Sequence, residues 1–269
     1  MEVRLLGTGS ADGWPSAFCR CDSCLAMRAA NVFRTPTSVL VDGRVWLDPG
    51  PEAARQALRF GADLVDVDTV LVGHAHSDHL DPAFLLHRSW VSERPLTVYG
   101  PAAVVEMCRN WLAPNQDAVK LVQVTAGDEF AAGPYRVKVL PAAHDAFGEA
   151  VLYRLSDATG SLLYACDTGP WADGFLEFAA GERFDLVLLE QTFGERLDLA
   201  GGRHLGLDSF AKSLADLRAA GLTDEGTRVV AVHLSHHNRP DVGHRLEEFG
   251  AELGFDGAVI EVGRDCASK

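Results

Sequence analysis

Short apolar runs alternate with turns and with amphipathic stretches along the whole chain. In the first half, this pattern predicts strands at Val3–Leu6, Ser38–Val41, Val45–Leu47, Thr69–Val72 and Thr97–Tyr99, and helices at Pro51–Phe60, Phe84–Trp90 and Ala102–Leu112. In the second half, it predicts strands at Leu121–Val124, Tyr135–Leu140, Val151–Leu155, Leu162–Ala165, Leu186–Leu189, Val229–Val232 and Ala258–Val262, and helices at Trp171–Ala180, Leu207–Ala220 and Val242–Leu253. Asp42–Gly43 is typical of a hairpin turn between two of these strands.

Hairpins mixed with helix-separated strands predict an α/β fold, a four-layer αββα sandwich of two mixed β-sheets. The chain has 269 residues, of which 47% are hydrophobic, and no stretch resembles an interdomain linker. We therefore expect a single domain over residues 1–269.

No run approaches the ~20 apolar residues of a membrane span, and the start, MEVRLLGTGS, lacks the apolar region of a secretory signal. A cytoplasmic location is the simplest expectation.

Residues that can bind metal ions follow the predicted strands. The stretch VGHAHSDHLD, residues 72–81, places three histidines and two aspartates directly after a buried strand. His144, Asp167, Glu190 and His233 each follow a later strand. Strand ends that share one edge would bring these side chains together. Imidazole and carboxylate in combination suit Zn, Mn or Fe, so the H-x-H-x-D-H spacing predicts a metal site.

The cysteines form two groups. Cys19, Cys21 and Cys24 make a C-x-C-x2-C motif in a predicted loop, a spacing that in a reducing compartment favours a metal over a disulfide. Cys108, Cys166 and Cys266 are scattered, and we expect them to be small buried residues or free thiols.

The H-x-H-x-D-H motif, with His144, Asp167 in "CDTG" and His233, resembles the metallo-β-lactamase superfamily of metallohydrolases. The resemblance extends from the first strand through His233 and implies two metals at the strand ends. It implies that one metal is held by His74, His76 and His144, that the other is held by Asp78, His79 and His233, and that Asp167 bridges them. Redox-active diiron members have glutamate in place of His76, so histidine favours a hydrolytic pair of Zn or Mn. Gly73 stands where the family commonly has threonine, which alters packing but removes no ligand.

Two further stretches, GWPSAFCRCDSCLAM and VHLSHH, are similar to the cyclic phosphodiesterases of phosphonate breakdown. That similarity implies a structural zinc held by Cys19, Cys21, Cys24 and His236, with His237 as an alternative fourth ligand. His204 matches a histidine that, in these enzymes and in the tRNA 3′-processing endonucleases, contacts the phosphate or protonates the leaving oxygen. Glu190, in "EQTF", resembles the endonucleases more. His87 and His244 lie in helical patterns and are expected on the surface.

These resemblances imply a dinuclear-metal-dependent hydrolase. The leading hypothesis is a phosphodiesterase that cleaves a small cyclic or nucleotide-like phosphate ester through a metal-bridging hydroxide, with Asp78 also orienting the nucleophile and His204 assisting the leaving group. The net charge of −14 argues against a large nucleic-acid footprint. A small anionic ester is the expected partner, because bound metal ions reverse the local field. Family habit suggests a homodimer.

Three alternatives stay open at this point. They are a tRNA 3′-processing-type endonuclease, a hydrolase of lactones, thioesters or β-lactams with the same metals, and a non-hydrolytic protein similar to the pyrroloquinoline-quinone biosynthesis B proteins. No basic arm of the endonuclease kind is visible in the sequence, and the complete ligand set argues against the non-hydrolytic alternative.

Overall fold

Two seven-stranded mixed sheets form the centre of the computed structural model, which describes residues 1–113, 116–144, 147–196, 198–199 and 202–263. In chain order the strands are Glu2–Gly7 (β1), Ser38–Val41 (β2), Val45–Leu47 (β3), Thr69–Leu71 (β4), Leu96–Gly100 (β5), Val119–Gln123 (β6), Glu129–Ala132 (β7), Tyr135–Pro141 (β8), Val151–Ser156 (β9), Ser161–Ala165 (β10), Leu186–Glu190 (β11), Arg228–Val232 (β12), Glu252–Leu253 (β13) and Val259–Glu261 (β14). The helices are Asp22–Ala29 (α1), Ala53–Arg59 (α2), Ala83–Ser89 (α3), Ala102–Arg109 (α4), Phe175–Phe178 (α5), Leu207–Ala219 (α6) and Val242–Glu247 (α7).

The strand order explains why the reactive residues meet. The first sheet has the order β14-β1-β2-β3-β4-β5-β6, and the second has the order β13-β12-β11-β10-β9-β8-β7. Strands β3 to β6 are parallel, and so are β10 to β13. The carboxyl ends of parallel strands lie at one edge of a sheet. The loops after β10, β11 and β12 therefore begin at one edge of the second sheet, and contacts of Asp167 with His74 and His79 place the loop after β4 at the same edge of the sandwich.

Three apolar layers hold the sandwich together and confirm the predicted αββα order. Alternating residues such as Val39, Val139 and Leu188 fill the space between the sheets. A second cluster packs α2, α3 and α4 against the outer face of the first sheet. A third packs α5, α6 and α7 against the outer face of the second sheet. Burial of both faces of each sheet is why most strands read as continuous apolar runs rather than as alternating patterns.

The predicted elements have counterparts in the structure, with four differences. The predicted helix Val242–Leu253 ends at Glu247, because Gly250 adopts a left-handed φ of 74° and Glu252–Leu253 then pairs with β12. The predicted helix Trp171–Ala180 shortens to the single turn of α5. Strand β7 was not predicted, and neither was α1, which begins inside the cysteine segment. The hairpin turn at Asp42–Gly43 is confirmed, with φ of 47° and 66°.

Besides Asp42 in its hairpin turn, three non-glycine residues that follow strands adopt left-handed backbone conformations. Asp48 follows β3, Asp167 follows β10 and His233 follows β12, with φ of 50°, 56° and 57°. Asp and His tolerate this region better than β-branched or bulky residues do. Such conformations persist where the surrounding structure fixes them, and they cluster at functional sites.

Among the described residues, no helix combines the length and the apolar composition that a membrane crossing requires. Cys266, one of the three scattered cysteines, lies outside the described residues.

Gly50 allows the segment after β3 to lie directly against the histidine loop. A Cβ atom at this position would lie 2.0 Å from the backbone oxygen of Asp78, which cannot move away as a side chain can. We predict that Gly50→Ala lowers Tm, because overpacking of this kind costs about 1–3 kcal/mol. For a chain of this size, the fall should be roughly 2–12 °C by differential scanning calorimetry.

Gly243→Ala is the matched control for Gly50→Ala. A Cβ at Gly243, in α7, would meet Leu253 at an ordinary 3.6 Å. Since alanine also favours helix, this variant should keep or slightly raise Tm. A Gly50→Ala protein as stable as Gly243→Ala would contradict the close approach of the two loops.

Candidate metal centre

The histidine loop after β4 is fixed to both sheets by its first residues. The amide of Gly73 donates a hydrogen bond to Asp48 Oδ1 at 2.8 Å, and the carbonyl of Gly73 accepts one from the amide of Val151 at 2.9 Å. The hydroxyl of Tyr153 donates to the carbonyl of Val72 at 2.9 Å. A Cβ at Gly73 would lie 3.0 Å from the carbonyl oxygen of Val151. Glycine at this position therefore permits a closer approach of the two sheets than threonine would.

A first set of ligand atoms comes from His74, His76, His144 and Asp167. His76 Nδ1 lies 2.7 Å from His74 Nε2 and 3.3 Å from His144 Nε2. Asp167 Oδ2 lies 3.4 Å from His74 Nε2 and 3.7 Å from His144 Nε2. The loops after β4, β8 and β10 thus converge, so that residues 68 to 93 positions apart in sequence offer their donor atoms to one point.

A second set comes from Asp78, His79 and His233, again around Asp167. His79 Nε2 lies 3.0 Å from Asp78 Oδ2 and 3.2 Å from Asp167 Oδ2. His233 Nε2 lies 2.9 Å from Asp167 Oδ1 and 3.5 Å from Asp78 Oδ2. Because Asp167 faces both sets, it lies where a bridging ligand would stand. The thiol of Cys166 also lies within 4.8 Å of the donor atoms of His79, Asp167 and His233.

The geometry and the unmet hydrogen bonds of these residues fit two divalent ions. Metal–nitrogen bonds of about 2.0–2.1 Å in a tetrahedral site place neighbouring donor atoms about 3.3 Å apart, close to the separations found here. His79 Nε2 and His233 Nε2 are buried, and among the described residues their close carboxylate neighbours do not have hydrogen-bond geometry. Buried polar atoms are rarely left without a partner. The fold thus brings together the seven residues expected to hold two ions: His74, His76, Asp78, His79, His144, Asp167 and His233.

The environment sets the protonation of these groups in the absence of a metal. Burial, assisted by the neighbouring imidazole of His79, holds the pKa of His74 well below its usual value, so its lone pair is available. Burial opposes ionisation of Asp167, but His233 and His79 hold its pKa well below the usual range. Burial lowers the pKa of His233, and the Asp167 and Asp78 carboxylates more than offset this and raise it to about 10. Binding of a cation there must displace a proton.

Other side chains orient the ligands from behind. Asp48 Oδ2 lies 2.7 Å from His79 Nδ1 and accepts a hydrogen bond from the hydroxyl of Tyr164 at 2.8 Å. Thr192 Oγ1 lies 2.9 Å from His233 Nδ1. A partner on Nδ1 fixes the tautomer that leaves Nε2 free for a metal. Asp48 and Thr192 were not among the site residues predicted from the sequence. Asp48 carried the same signal as the others, a carboxylate directly after a strand, whereas nothing in the sequence marked Thr192.

Glu190 and His204 form a buried pair beside the second set of ligands. His204 Nδ1 lies 3.0 Å from Glu190 Oε1, and the hydroxyl of Thr192 donates to Oε2 of the same carboxylate. The amides of Thr168 and Leu205 also donate to Glu190, at 2.7 and 3.2 Å. Burial lowers the pKa of His204, but the charge of Glu190 more than compensates and the net shift is upward. His204 stacks on the ring of His233 at 5.5 Å, so a proton carried by this imidazole lies next to the metal ligands.

The cysteine motif forms a separate cluster with one histidine. The donor atoms of Cys19, Cys21, Cys24 and His236 all lie within 4.8 Å of one another, and Cys21 Sγ is 3.7 Å from His236 Nδ1. His237, the alternative fourth ligand, is not in this group, and its ring packs against Phe193 instead. The predicted loop is partly helical, with Cys21 as the N-cap of α1 and Cys24 in its first turn. Three thiols and one imidazole in this arrangement suit a tetrahedral zinc ion.

The remaining histidines and cysteines behave as expected. His87 and His244 are exposed on α3 and α7, and Cys108 and Cys166 are buried. A cavity of about 890 Å³ lies outside the first sheet, where Trp46, Leu58, Phe84 and Trp90 line it. None of the metal-ligand candidates borders that cavity. We place the functional centre at the histidines, because convergent donor atoms rather than volume define a metal site.

Comparison with known proteins gives a family and several relatives. The family model described as a beta-lactamase superfamily domain matches residues 43–234. The coenzyme PQQ synthesis protein B of Methylococcus capsulatus is 24% identical over 97% of this chain and 99% of its own length. A ribonuclease Z of Leuconostoc mesenteroides is 31% identical over 54% of this chain, and the match spans 45% of that enzyme. The crystal structure of a new diphosphatase from the PhnP family covers 97% of both chains at 22% identity, with a TM-score of 0.75.

We predict that Cys21→Ser removes one zinc ion per chain and lowers Tm. A ligand present at a thousand times its Kd stabilises a fold by about 4 kcal/mol, which corresponds to a fall of roughly 8–16 °C in a chain of this size. Elemental analysis and calorimetry measure the two effects. Cys108→Ser, in the buried face of α4, should keep the zinc content. Unchanged zinc content in Cys21→Ser would show that the cluster does not hold the ion.

Proposed function

The chain belongs to the metallo-β-lactamase superfamily, and on that premise we propose that it is a dinuclear-metal-dependent phosphodiesterase acting on a small cyclic or nucleotide-like phosphate ester. The observation that carries this proposal is the Glu190–His204 pair beside the two sets of metal ligands. Metal ligands alone suit many hydrolases. A histidine whose proton is retained by a buried carboxylate adds the means to bind a phosphate oxygen or to protonate an alkoxide.

Two divalent ions, Zn or Mn, would be held by the seven residues around Asp167, and a structural zinc by the cysteine cluster. When bound, the two ions would lower the pKa of a bridging water molecule and neutralise the oxygens of the phosphate. The centre contains the carboxylates of Asp78 and Asp167, so an anionic ester would depend on this neutralisation. We also propose a reducing, cytoplasmic environment, because zinc binding needs the three cysteines as thiolates.

The chain's residues divide the remaining work between orientation and proton transfer. Asp78 lies between His79 and His233, where its carboxylate can orient the attacking water. Nδ1 of His204 faces Glu190, so Nε2 is the nitrogen available to a substrate. From there His204 would donate its proton to the departing oxygen, and Glu190 would stabilise the imidazolium before that transfer. Thr192 holds Glu190 and His233 together, which keeps the acid aligned with the metal ligands.

Two observations favour other candidates. The similarity to a PQQ synthesis protein B covers almost the full length of both chains, which favours a non-hydrolytic role. The similarity to a ribonuclease Z favours an endonuclease. Against the non-hydrolytic role, all seven predicted ligands for two ions lie close together. Against the endonuclease, the net charge of −14 opposes a long RNA footprint. A small ester is therefore the proposed substrate, and the family resemblance adds a homodimer to the proposal.

We predict that the purified protein hydrolyses bis-p-nitrophenyl phosphate when Zn or Mn is supplied, and that His76→Ala reduces the rate more than about 100-fold. His76→Ala removes a predicted metal ligand. Changing a residue that only orients a ligand already costs about 10–100-fold in activity, so the loss of the ligand itself should cost more. Release of p-nitrophenolate is followed at 405 nm, with metal content measured in parallel. His87→Ala, an exposed histidine of α3, serves as the control and should match the wild type. An inactive wild type with both metals present would refute the proposal.

We also predict that the effect of His204→Gln depends on the leaving group. A general acid contributes typically ~10²–10⁴-fold, but p-nitrophenolate leaves without a proton, whereas the alkoxide of a cyclic nucleotide needs one. The variant should therefore lose about 10²–10⁴-fold in kcat on 2′,3′-cyclic AMP and less than about 10-fold on bis-p-nitrophenyl phosphate. Equal losses on the two substrates would assign His204 to substrate binding and not to proton transfer.

A further inference from the structure

A row of five aromatic rings crosses the exposed side of the metal centre. The centroids of Phe147 and His76 are 5.4 Å apart, those of His76 and His144 5.1 Å, and those of His144 and His204 5.0 Å. The ring of Phe193 completes the row at 5.4 Å from His204. The three histidines are the groups that would surround the phosphate, and a phenylalanine stands at each end. A substrate group that extends from the phosphate along this row would therefore contact one of the two phenyl rings.

Phe147 is the more available of the two phenylalanines. Its side chain is 72% exposed, an unusual position for a large apolar ring, and it touches His76 edge-on at 87°. Its backbone has a φ of 58°, in the left-handed region that bulky residues rarely adopt. Phe193 is half-buried, with its ring between His204 and His237. A strained backbone that holds an exposed ring against a metal ligand points to a role in binding.

Phe147 presents an exposed apolar ring next to His76. The carboxylate of Glu149 accepts hydrogen bonds from the hydroxyl of Thr125 and the amide of Ala126 and is engaged by these groups. A phenyl face suits a nucleic-acid base, because every base has a π-face that can stack on it without matched hydrogen bonds. A short alkyl group such as that of a glycerol ester has no π-face and gains less from this contact.

We propose that Phe147 is a specificity-determining residue that stacks on the base of a nucleoside phosphodiester, which makes base-bearing esters the substrate class of this centre. The inference rests on the proposed function, because it assumes that the phosphate lies at the histidines. In this arrangement, the phosphate lies beside His76 and His204 and the base lies over the exposed ring of Phe147. The base contributes to binding and takes no part in the bond cleavage.

The test compares two substrates with the same five-membered cyclic phosphodiester, 2′,3′-cyclic AMP and glycerol 1,2-cyclic phosphate, of which only the first has a base. In the metal-loaded protein, Phe147→Ala should raise KM for cyclic AMP about ten-fold, the size expected for loss of one stacked base. Its kcat on cyclic AMP, and both constants on the glycerol ester, should stay within about two-fold. Phe147→Tyr should restore the wild-type KM, because it keeps the ring.

Trp90→Ala is the matched control, since Trp90 is an aromatic residue of similar exposure, 69%, at the cavity outside the first sheet. The Trp90→Ala protein should have wild-type KM and kcat on both cyclic esters. A Phe147→Ala protein with an unchanged KM for cyclic AMP would overturn the inference, and so would an equal rise in KM for both esters. Either result leaves the phosphodiesterase proposal standing, because the wild type would still be active.

Calorimetric titration with adenosine 2′-monophosphate and with glycerol phosphate separates the inference from the proposed function. If the wild type hydrolyses neither cyclic ester, but Phe147→Ala weakens adenylate binding about ten-fold and leaves glycerol phosphate unaffected, the stacking role holds and the phosphodiesterase proposal fails. If adenylate and glycerol phosphate bind equally well to the wild type, the stacking role fails regardless of the kinetics.

Discussion

The carboxylate of Asp167, buried between two sets of imidazoles, is the interaction on which the rest of the structure depends. It lies within 3.7 Å of a ring nitrogen of His74, His79, His144 and His233, and these come from three separate loops, after β4, β8 and β12. Burying so many ionisable groups is costly unless they are paired or coordinate metal ions. The left-handed backbones of Asp48, Asp167 and His233 show that the strand ends bend to bring these groups together. Two bound metal ions would offset both the cost of burying these groups and the cost of the left-handed backbones.

The loop after β12 links this centre to the cysteine cluster. His233 belongs to the first and His236 to the second, three residues apart. The carbonyl of Asn238 accepts a hydrogen bond from the hydroxyl of Ser23 in α1, and the side-chain amide of Asn238 donates to the carbonyl of Thr192. Thr192 in turn contacts Glu190 and His233. The cysteine segment is thus part of the support that positions the histidines of the candidate metal centre, which accounts for a second cluster placed so near it.

Much of the fold and of the site could be predicted from the sequence, because both rest on local patterns. Buried strands read as short apolar runs, and ligands such as His144, Asp167 and His233 stand directly after them. The pattern failed where long-range contacts decide the structure. Gly250 breaks the predicted last helix, and pairing with β12 turns its tail into a strand. Thr192 and Phe147 gave no signal, since a lone threonine or phenylalanine in a loop gains its meaning only from residues that folding brings beside it.

The most direct test of the two-metal claim is anomalous diffraction from metal-loaded crystals, with data collected at the zinc and manganese absorption edges. The account predicts two anomalous peaks beside Asp167, one near His74, His76 and His144 and the other near Asp78, His79 and His233. A third peak, at the zinc edge, should lie among the cysteines and His236. A single peak at the cysteines, with none beside Asp167 after both metals have been supplied, would contradict the central claim.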